Sequence, residues 1–278
     1  MHKTTDPRSA KAFLKAMYER ALAPALPADA MRDLHWPAVP GRTYILSVGK
    51  AATHMVAAIE KRMPEKADGL IVTRKGYVHA GFVPSGLQLV EASHPVPDAN
   101  GADAAQLALA AAGALDEKDL LLVLMSGGAS ALLPAPAEGL SLTQKQEITR
   151  SLLMSGAPIR DMNVVRKHLS AIKGGRLAAA AWPAATHMIA ISDIPGDDIA
   201  LIGSGPTVAD DSTCAEALDI VDRYGISLPS EVTSDLEQGK LETPKRTDPR
   251  MQRSTAEICA RPADMLSLIH ISEPTRPY

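Results

Sequence analysis

The amino-acid sequence predicts a doubly wound α/β fold, in which helices cover both faces of a mainly parallel β-sheet. Two features of the sequence support this prediction. Short apolar segments alternate along the chain with longer segments whose apolar residues recur at helical spacing. The most apolar of the short segments, residues 120–125, contains no polar side chain, which is typical of a strand buried on both faces of a parallel sheet.

The alternation assigns each element in turn. Apolar residues between Ala10 and Leu22 recur at helical spacing until Pro24 and Pro27, so we expect the chain to begin with an amphipathic helix. The predicted strands cover residues 44–48, 70–73, 87–92, 120–125 and 187–192. The predicted helices cover residues 51–63, 102–115, 144–155, 163–181 and 214–224, and Gly225 closes the last of them.

The last part of the chain differs in composition from the rest. Residues 225–253 are polar, contain prolines and carry a basic cluster, which predicts an exposed connector. We therefore expect residues 1–253 to form the main domain and residues 254–266 to start an incomplete following segment. Residues 267–278 (SLIHISEPTRPY) match no helix or strand pattern and resemble translated sequencing-adapter read-through, so we interpret them as a non-native tail.

The composition excludes several classes of protein. The 278 residues include 22% charged and 46% hydrophobic side chains with a net charge of −3, which is typical of a soluble globular chain without a nucleic-acid partner. The two cysteines, Cys214 and Cys259, lack the spacing of a disulfide framework or a zinc site. No apolar targeting region or bilayer-spanning run is found, so we expect a cytoplasmic protein that does not enter membranes.

Four segments place chemically active residues after predicted strands, at the edge where open α/β sheets bind their ligands. In the first, Gly49 permits a tight turn and Lys50 stands at the start of a helix. The helix dipole disfavours a cation there, so Lys50 indicates an anionic ligand that the backbone amides would also bind. The alternative is a lysine that is only solvated at a turn.

The second segment follows the most apolar strand and has the sequence Ser-Gly-Gly-Ala-Ser. Its glycines allow backbone amides to approach a phosphate closely, and its serines add hydroxyl donors. A tight turn without a ligand is the alternative. The expected phosphate-binding residues are Ser126, Gly127, Gly128 and Ser130.

The third segment is the predicted helix at residues 163–181. Its apolar stripe leaves the basic residues on opposite or flanking surfaces, where they would form a solvated face. The adjacent Gly174 and Gly175 are costly inside a helix and indicate close approach of a ligand or a neighbouring element. The basic residues are Arg166, Lys167, Lys173 and Arg176.

The fourth segment places Asp193 and Asp197 directly after a predicted strand and close to the glycine-rich residues 203–207. Carboxylates in that position suit Mg²⁺, which is commonly held by one or two carboxylates together with substrate phosphates. An Asx-turn at Asp193 is the alternative. His94, in a loop after another predicted strand, is either a proton-transferring residue or a structural one.

These motifs occur in one continuous order along the chain. They are SVGKAA, VTRKGY, EASHPVPD, LMSGGASALLPAPAEGLSL, NVVRKHLSAIKGGRL and SDIPGDDIALIGSGPT. From about Ala10 to Arg261 the sequence resembles the ATP-dependent glycerate 2-kinases that carry a C-terminal MOFRL domain. The resemblance implies a Rossmann-like N-terminal domain and a smaller second α/β domain, with the active site in the cleft between them.

By this resemblance, the γ-phosphoryl group of ATP passes to the 2-hydroxyl of D-glycerate and gives 2-phosphoglycerate. Lys50 is then the expected catalytic lysine, while Asp193 and Asp197 hold Mg²⁺ or accept the substrate proton. The candidates for binding the substrate carboxylate are Arg166, Lys167 and His168. The residues expected to contact phosphate or nucleotide are Gly49, Ser126, Gly127, Gly128, Ser130, Gly203, Ser204, Gly205 and Thr207.

Two other functions remain open on the sequence alone. Relatives of this family often carry the label hydroxypyruvate reductase, but the complete GxGxxG fingerprint for NAD(P)H is absent. The MOFRL domain and its arginine are also missing, so we interpret the chain as a truncated form. The second alternative is therefore a nucleotide-binding fragment without turnover. A homodimer is a further expectation.

Overall fold

The computed structural model describes residues 7–63, 67–84 and 86–264. Its centre is a six-stranded parallel sheet with the strand order β3-β2-β1-β4-β5-β6. This is the order of doubly wound sheets, so the predicted fold class is confirmed. The strands are β1 (Thr43–Val48), β2 (Asp68–Arg74), β3 (Leu87–Ala92), β4 (Leu120–Met125), β5 (Ala185–Ile191) and β6 (Ser254–Ala260).

Helices cover both faces of the sheet and also build a second layer beside it. They are α1 (Pro7–Leu22), α2 (Pro27–Ala30), α3 (Ala52–Ile59), α4 (Ala99–Gly113), α5 (Ala129–Leu132), α6 (Leu142–Met154), α7 (Ile159–His168), α8 (Arg176–Ala181), α9 (Cys214–Arg223) and α10 (Ser230–Glu237). Short 3₁₀ turns cover Ala23–Ala25, Glu60–Arg62, Ile202–Ser204 and Pro249–Met251. Within the described residues, no helix combines the length and the hydropathy needed to cross a bilayer.

The central strand β4 shows why the sheet forms. All of its residues are buried. Because side chains alternate along a strand, Leu121 and Val123 join a core with α4 and α8, whereas Leu122 and Leu124 join a core with α3 on the opposite face. The uninterrupted apolar sequence is therefore needed to supply two cores at once.

A second layer of helices corrects the expectation that residues 225–253 form an exposed connector. Apolar side chains of α6, α7, α9 and α10 share a core that is separate from the sheet. Val232 and Leu236 of α10 are 0% and 1% exposed. The composition is misleading here because a short amphipathic helix buries only one narrow stripe and stays polar elsewhere.

Two other expectations about segments need correction. The predicted helix at residues 163–181 is split into α7 and α8, and between them Gly174 and Gly175 adopt left-handed angles with φ of 58° and 84°. The sheet also continues past the boundary expected at residue 253, because β6 pairs with β5. Residues 254–260 are therefore an edge strand of this sheet, while the tail expected at residues 267–278 lies outside the described residues.

The second core can be tested by truncating Leu236. We expect Leu236→Ala to lower the free energy of unfolding by about 2–4 kcal/mol, because it removes buried methyl groups and leaves a cavity. Leu107→Ala on α4, where the side chain is 44% exposed, should cost less than about 1 kcal/mol. Urea denaturation measures both values, and equal losses would contradict the second core.

Candidate functional site

Strand register brings three loops together at the carboxyl edge of the sheet. Val48 of β1 pairs with Met125 of β4, and Met125 pairs with Ala190 of β5. The carboxyl ends of the three strands therefore lie next to one another along the edge of the sheet, and the loops that follow them lie side by side. These are three of the four segments that the sequence singles out.

The first two loops contact each other through their backbones. Lys50 N donates a hydrogen bond to Gly127 O at 2.9 Å, and Ala51 N donates to Ser126 Oγ at 3.1 Å. Gly49 has a φ of 134°, and a Cβ atom there would overlap the Ser126 hydroxyl. Glycine is required at this position because the two backbones approach too closely for a side chain.

The second and third loops approach each other just as closely. A Cβ atom on Gly127 would overlap the Asp193 carboxylate. A Cβ atom on Gly128, which has a φ of 89°, would lie 3.0 Å from the His94 ring and 3.4 Å from Lys50 Cε. The two glycines therefore form a platform bordered by an acid, a histidine and a lysine.

The loops after β4 and β5, together with His94, line a cavity of about 460 Å³, a size suited to a small molecule. Gly49 and Lys50 are not among the lining residues, but the Lys50 side chain lies close to Gly128, which is. Apolar residues of α6 and α7, among them Leu153 and Met162, form another part of its wall. The sequence-predicted residues that line the cavity are Ser126, Gly127, Gly128, Ser130, Arg166, Asp193, Gly203 and Ser204.

Lys50 and His94 stand together at this platform. The Lys50 side chain forms no hydrogen bond or ion pair with any described residue. Burial lowers the pKa of His94, and the charges of Lys50 and Arg74 lower it further, while Asp193 opposes the shift. His94 is therefore neutral at pH 7, and its Nδ1 atom is buried without a hydrogen-bond partner among the described residues.

The two aspartates of the fourth segment have different surroundings. Asp193 is exposed, lines the cavity and makes no hydrogen bond or ion pair within the described part of the chain. Asp197 Oδ1 accepts a hydrogen bond from Ser192 Oγ at 2.5 Å, and its Oδ2 lies 4.0 Å from Arg261 Nε. Asp193 is the carboxylate that lines the cavity, whereas Asp197 is held by Ser192 of its own loop and by Arg261 after β6.

Three consecutive residues of α7 point in different directions. Arg166 lines the cavity, and its Nη2 donates to Ser130 Oγ at 2.7 Å. Lys167 forms an ion pair of 3.1 Å with Asp210, and His168 is completely buried on another side of the helix. Successive residues of a helix are rotated by about 100° about its axis, so their three side chains leave the helix in different directions and cannot all point into one site. Of the three candidates for the substrate carboxylate, only Arg166 reaches the cavity.

The Lys167–Asp210 pair lines a second cavity of about 630 Å³, which shares Asn163 and Leu201 with the first. The side chains of the pair are 8% and 5% exposed, so the expected solvated position of Lys167 is wrong. Burial raises the pKa of Asp210, but the charge of Lys167 and hydrogen bonds from Ser212 outweigh it and lower the pKa. Lys167 therefore has a structural partner that neutralises its charge.

His168, Cys214 and Glu242 place three potential metal-ligand atoms within 4.8 Å of one another. Burial raises the pKa of Glu242, but hydrogen bonds from Lys245 and from the amides of Cys214 and Thr243 outweigh it and lower the pKa to about 2. Burial and the Glu242 charge raise the pKa of the Cys214 thiol to about 11. A metal ion binds the deprotonated thiolate and free carboxylate oxygens, whereas the Cys214 thiol is protonated and the Glu242 carboxylate already accepts hydrogen bonds. We therefore interpret the cluster as structural.

The glycine-rich segment at 203–207 is divided between the cavity and the fold. Gly203, Ser204 and Gly205 all adopt left-handed angles, with φ of 60°, 63° and 60°. Such strain in a non-glycine residue is typical of functional sites, and Ser204 Oγ lies 3.2 Å from Ser130 Oγ. Gly205 and Thr207 are not part of the cavity lining, so their position does not bring them to a ligand there.

Two buried lysines near the cavity are not predicted by the sequence. Lys173 is 2% exposed, and its Nζ donates to both O and Oγ of Ser130 at 3.0 Å. Lys145 of α6 is 9% exposed, and its Nζ donates to Leu169 O. The solvated position expected for Lys173 is wrong. Lys145 gives no signal in the sequence, because its burial depends on the loop that packs over α6.

Both lysines lie in surroundings that disfavour their charged forms. Burial lowers the pKa of Lys145 to about 7, and the charges of Arg166 and Arg176 contribute. Burial also lowers the pKa of Lys173 well below its ordinary value, with contributions from Arg166 and Lys145. Both lysines therefore lie in a desolvated region where the charge of Arg166 disfavours theirs.

The fold and the cavity together define a doubly wound α/β protein with a small-molecule site at the carboxyl edge of its sheet. The chain belongs to the family described as Domain of unknown function (DUF4147), which matches residues 10–237. A protein of Agrobacterium vitis, provisionally named a hydroxypyruvate reductase, is 46% identical over 240 residues, which cover 85% of this chain and 53% of that protein.

The D-glycerate 2-kinase of Thermotoga maritima is 36% identical over 241 residues, which cover 86% of this chain and 57% of the relative. The crystal structure of the glycerate kinase from Thermotoga maritima matches with a TM-score of 0.83 and 32% identity, covering 94% of this chain and 61% of that one. The resemblance to glycerate kinases is thereby confirmed. The chain spans little more than half the length of these relatives.

Raising the pH from 7 to 8.5 should stabilise the fold through Lys145. Its pKa is about 7 in the folded chain against an ordinary value of 10.5. Between these values the unfolded state binds more protons, so stability rises with pH, by up to about 1.4 kcal/mol per pH unit. Urea denaturation at both pH values measures this slope.

In the Lys145→Met variant, the free energy of unfolding should lose the part of its rise with pH that comes from Lys145. In Lys118→Met, changed at an exposed position, the free energy of unfolding should rise with pH as in the unchanged chain. A Lys145→Met variant whose stability rises with pH as steeply as that of the unchanged chain would show that Lys145 is charged in the fold.

Proposed function

We propose that this chain forms one half of an ATP-dependent glycerate 2-kinase, which transfers the γ-phosphoryl group of ATP to the 2-hydroxyl of D-glycerate. The observation that carries the proposal is that Gly127, Gly128 and Asp193 line one cavity, with the Lys50 side chain beside Gly128. Phosphoryl transfer needs alignment, amide donors and cations rather than covalent chemistry from the protein. The glycerate kinases among the similar proteins support the same reaction.

The phosphates of ATP are proposed to bind at the loop after β4. Gly127 and Gly128 let backbone amides approach an anion, and the neighbouring serines add hydroxyl donors. The hydrogen bond from Ala51 N to Ser126 Oγ fixes this loop against the loop of Lys50. A phosphate held at residues 126–130 would therefore lie beside the lysine.

Lys50 is proposed to offset the negative charge that develops between the donor and acceptor oxygens. Its ammonium group has no ion-pair partner in the described ranges of the chain, so its charge is available to a ligand. The proton of the substrate hydroxyl has two candidate acceptors on the cavity wall, Asp193 and the neutral His94. Asp197 is a weaker candidate because its carboxylate already accepts a hydrogen bond from Ser192.

Asp193 is proposed to hold Mg²⁺ together with the phosphates of ATP. Its exposed carboxylate lines the cavity beside Gly127 and has no described protein partner, which fits an ion that takes one or two carboxylates and keeps several waters. Bound Mg²⁺ would supply neutralisation of the phosphate charge. Asp197, with contacts to Ser192 and Arg261, would position the loop that carries Asp193.

One observation favours a second function, an NAD(P)H-dependent hydroxypyruvate reductase. A relative that is 46% identical carries this name provisionally. In the turn after β1, however, Ala51 and His54 stand where the dinucleotide fingerprint that begins at Gly49 needs its second and third glycines. We expect no oxidation of NADH or NADPH by hydroxypyruvate, and an absorbance assay that detects it would establish the reductase.

Removing the Lys50 side chain tests the kinase directly. In the protein completed to the length of its relatives, Lys50→Ala should lower kcat for ATP-dependent phosphorylation of D-glycerate by about 10²-fold or more, because a cation at the transferring group is lost. Lys118→Ala, at the opposite edge of the sheet, should retain the full rate. An assay of 2-phosphoglycerate measures both variants.

If Lys50→Ala retains the full rate, the lysine has no catalytic role. If the completed protein binds ATP without forming 2-phosphoglycerate, the function is that of a nucleotide-binding protein without turnover.

The role of Asp193 predicts a Mg²⁺-dependent loss of ATP affinity. Asp193→Asn should weaken the binding of ATP about tenfold or more in the presence of Mg²⁺ and much less in its absence, because the amide has no charge to offer the ion. Asp103→Asn, at an exposed position of α4, serves as the control. Calorimetry with and without Mg²⁺ measures the effect, and the same loss under both conditions would argue against metal binding by Asp193.

A further inference from the structure

Arg166 and Lys173 contact Ser130, and no carboxylate among the described residues forms an ion pair with either of them. Arg166 Nη2 donates to Ser130 Oγ at 2.7 Å, and Lys173 Nζ donates to Ser130 O and Oγ and to Gly203 O at 3.4 Å. Lys145 lies close enough to disfavour the charge of Lys173. Within the described ranges of the chain, Arg166, Lys173 and Lys145 form no ion pair.

The neighbouring Lys167 is a buried lysine that has an ion-pair partner, and it serves as a comparison for Arg166. Lys167 is buried to a similar extent but is paired with Asp210 at 3.1 Å. Isolated charges are costly to bury, and buried charges are normally paired. Arg166, which lines the cavity, has no ion-pair partner among the described residues, so its charge indicates a counter-charge that a ligand brings.

The hydrogen bonds at Ser130 show which groups are available to that ligand. Lys173 has three N–H donors, and its three acceptors belong to Ser130 and Gly203. Ser130 Oγ accepts from both Arg166 and Lys173, so its proton is left to be donated, either to Ser204 Oγ at 3.2 Å or to a ligand. Arg166 has five N–H donors and uses one of them on Ser130.

We propose that Arg166 and the Ser130 hydroxyl bind an oxyanion of the ligand, while Lys173 positions Ser130 through hydrogen bonds to its O and Oγ atoms. The guanidinium fork suits an anion with two parallel oxygens, which a carboxylate and a phosphate both provide. The identity of the ligand rests on the proposed function, in which the oxyanion is either the carboxylate of D-glycerate or a phosphate of ATP. The oxyanion site itself requires only the geometry.

Binding measurements on the 278-residue chain test this site without depending on phosphoryl transfer. Calorimetric titrations with D-glycerate and with ATP, each at fixed ionic strength, are compared for the unchanged chain, Arg166→Met and Lys173→Met. The control is Arg160→Met, which makes the same change at an exposed position of the same helix. Circular dichroism verifies that each variant is folded.

We expect Arg166→Met to weaken one of the two ligands by about tenfold or more, because charge-assisted hydrogen bonds are lost. Lys173→Met should weaken the same ligand by at least about threefold, whereas Lys173→Arg should restore part of the affinity because a hydrogen-bond donor to Ser130 returns. Arg160→Met should bind both ligands as the unchanged chain does. If Lys173→Met does not fold, Lys173→Arg tests the positioning residue and Ser130→Ala, which removes the hydroxyl that binds the oxyanion, should weaken the same ligand.

Loss of D-glycerate affinity alone would identify the occupant as the carboxylate, and loss of ATP affinity alone would identify it as a phosphate. Equal affinities for all the variants would overturn the oxyanion site, as would a chain that binds neither ligand. A completed protein that binds D-glycerate through Arg166 but does not phosphorylate it would disprove the kinase and leave the oxyanion site intact.

Discussion

The close approach of backbones at the carboxyl edge of the sheet is the constraint on which the rest of the site depends. Gly49 lies against Ser126, and Gly127 lies against the Asp193 carboxylate, with no room for a Cβ atom at either glycine. Because β1, β4 and β5 are in parallel register, their loops start close to one level. Because these glycines have no side chain to hold the loops apart, Asp193 lies beside Gly127 and Lys50 lies beside Gly128.

The basic residues near the cavity are buried in surroundings that disfavour their charged forms. Apolar walls and packed loops exclude water around Arg166, Lys173 and Lys145, and burial lowers the pKa of all three. Unpaired buried charge destabilises a fold, and proteins keep such strain where function needs it. The left-handed backbone of Ser204, in contact with Ser130, belongs to the same region of strain.

The second core gives this region its rigid support. α7 packs against α9, which in turn packs against α10, and Val165 of α7 belongs to their shared core, while Met162 and Arg166 of the same helix line the cavity. The helix therefore joins the core to the ligand site, and its rotation decides which basic residue reaches the cavity. The segment at residues 225–253 contributes to function through this support, since α10 fixes the position of its neighbours without reaching the site.

The sequence by itself determined the class of fold and the place of the site. Apolar runs, helical spacing and strand-end glycines are local properties of the chain, so β4, Lys50, the loop at Ser126 and Asp193 could be recognised without coordinates. Only the tertiary structure decided that Arg166 faces the cavity and that Lys145 and Lys173 are buried behind it. The reason is that burial and direction depend on which elements pack together, and those contacts join residues far apart in sequence.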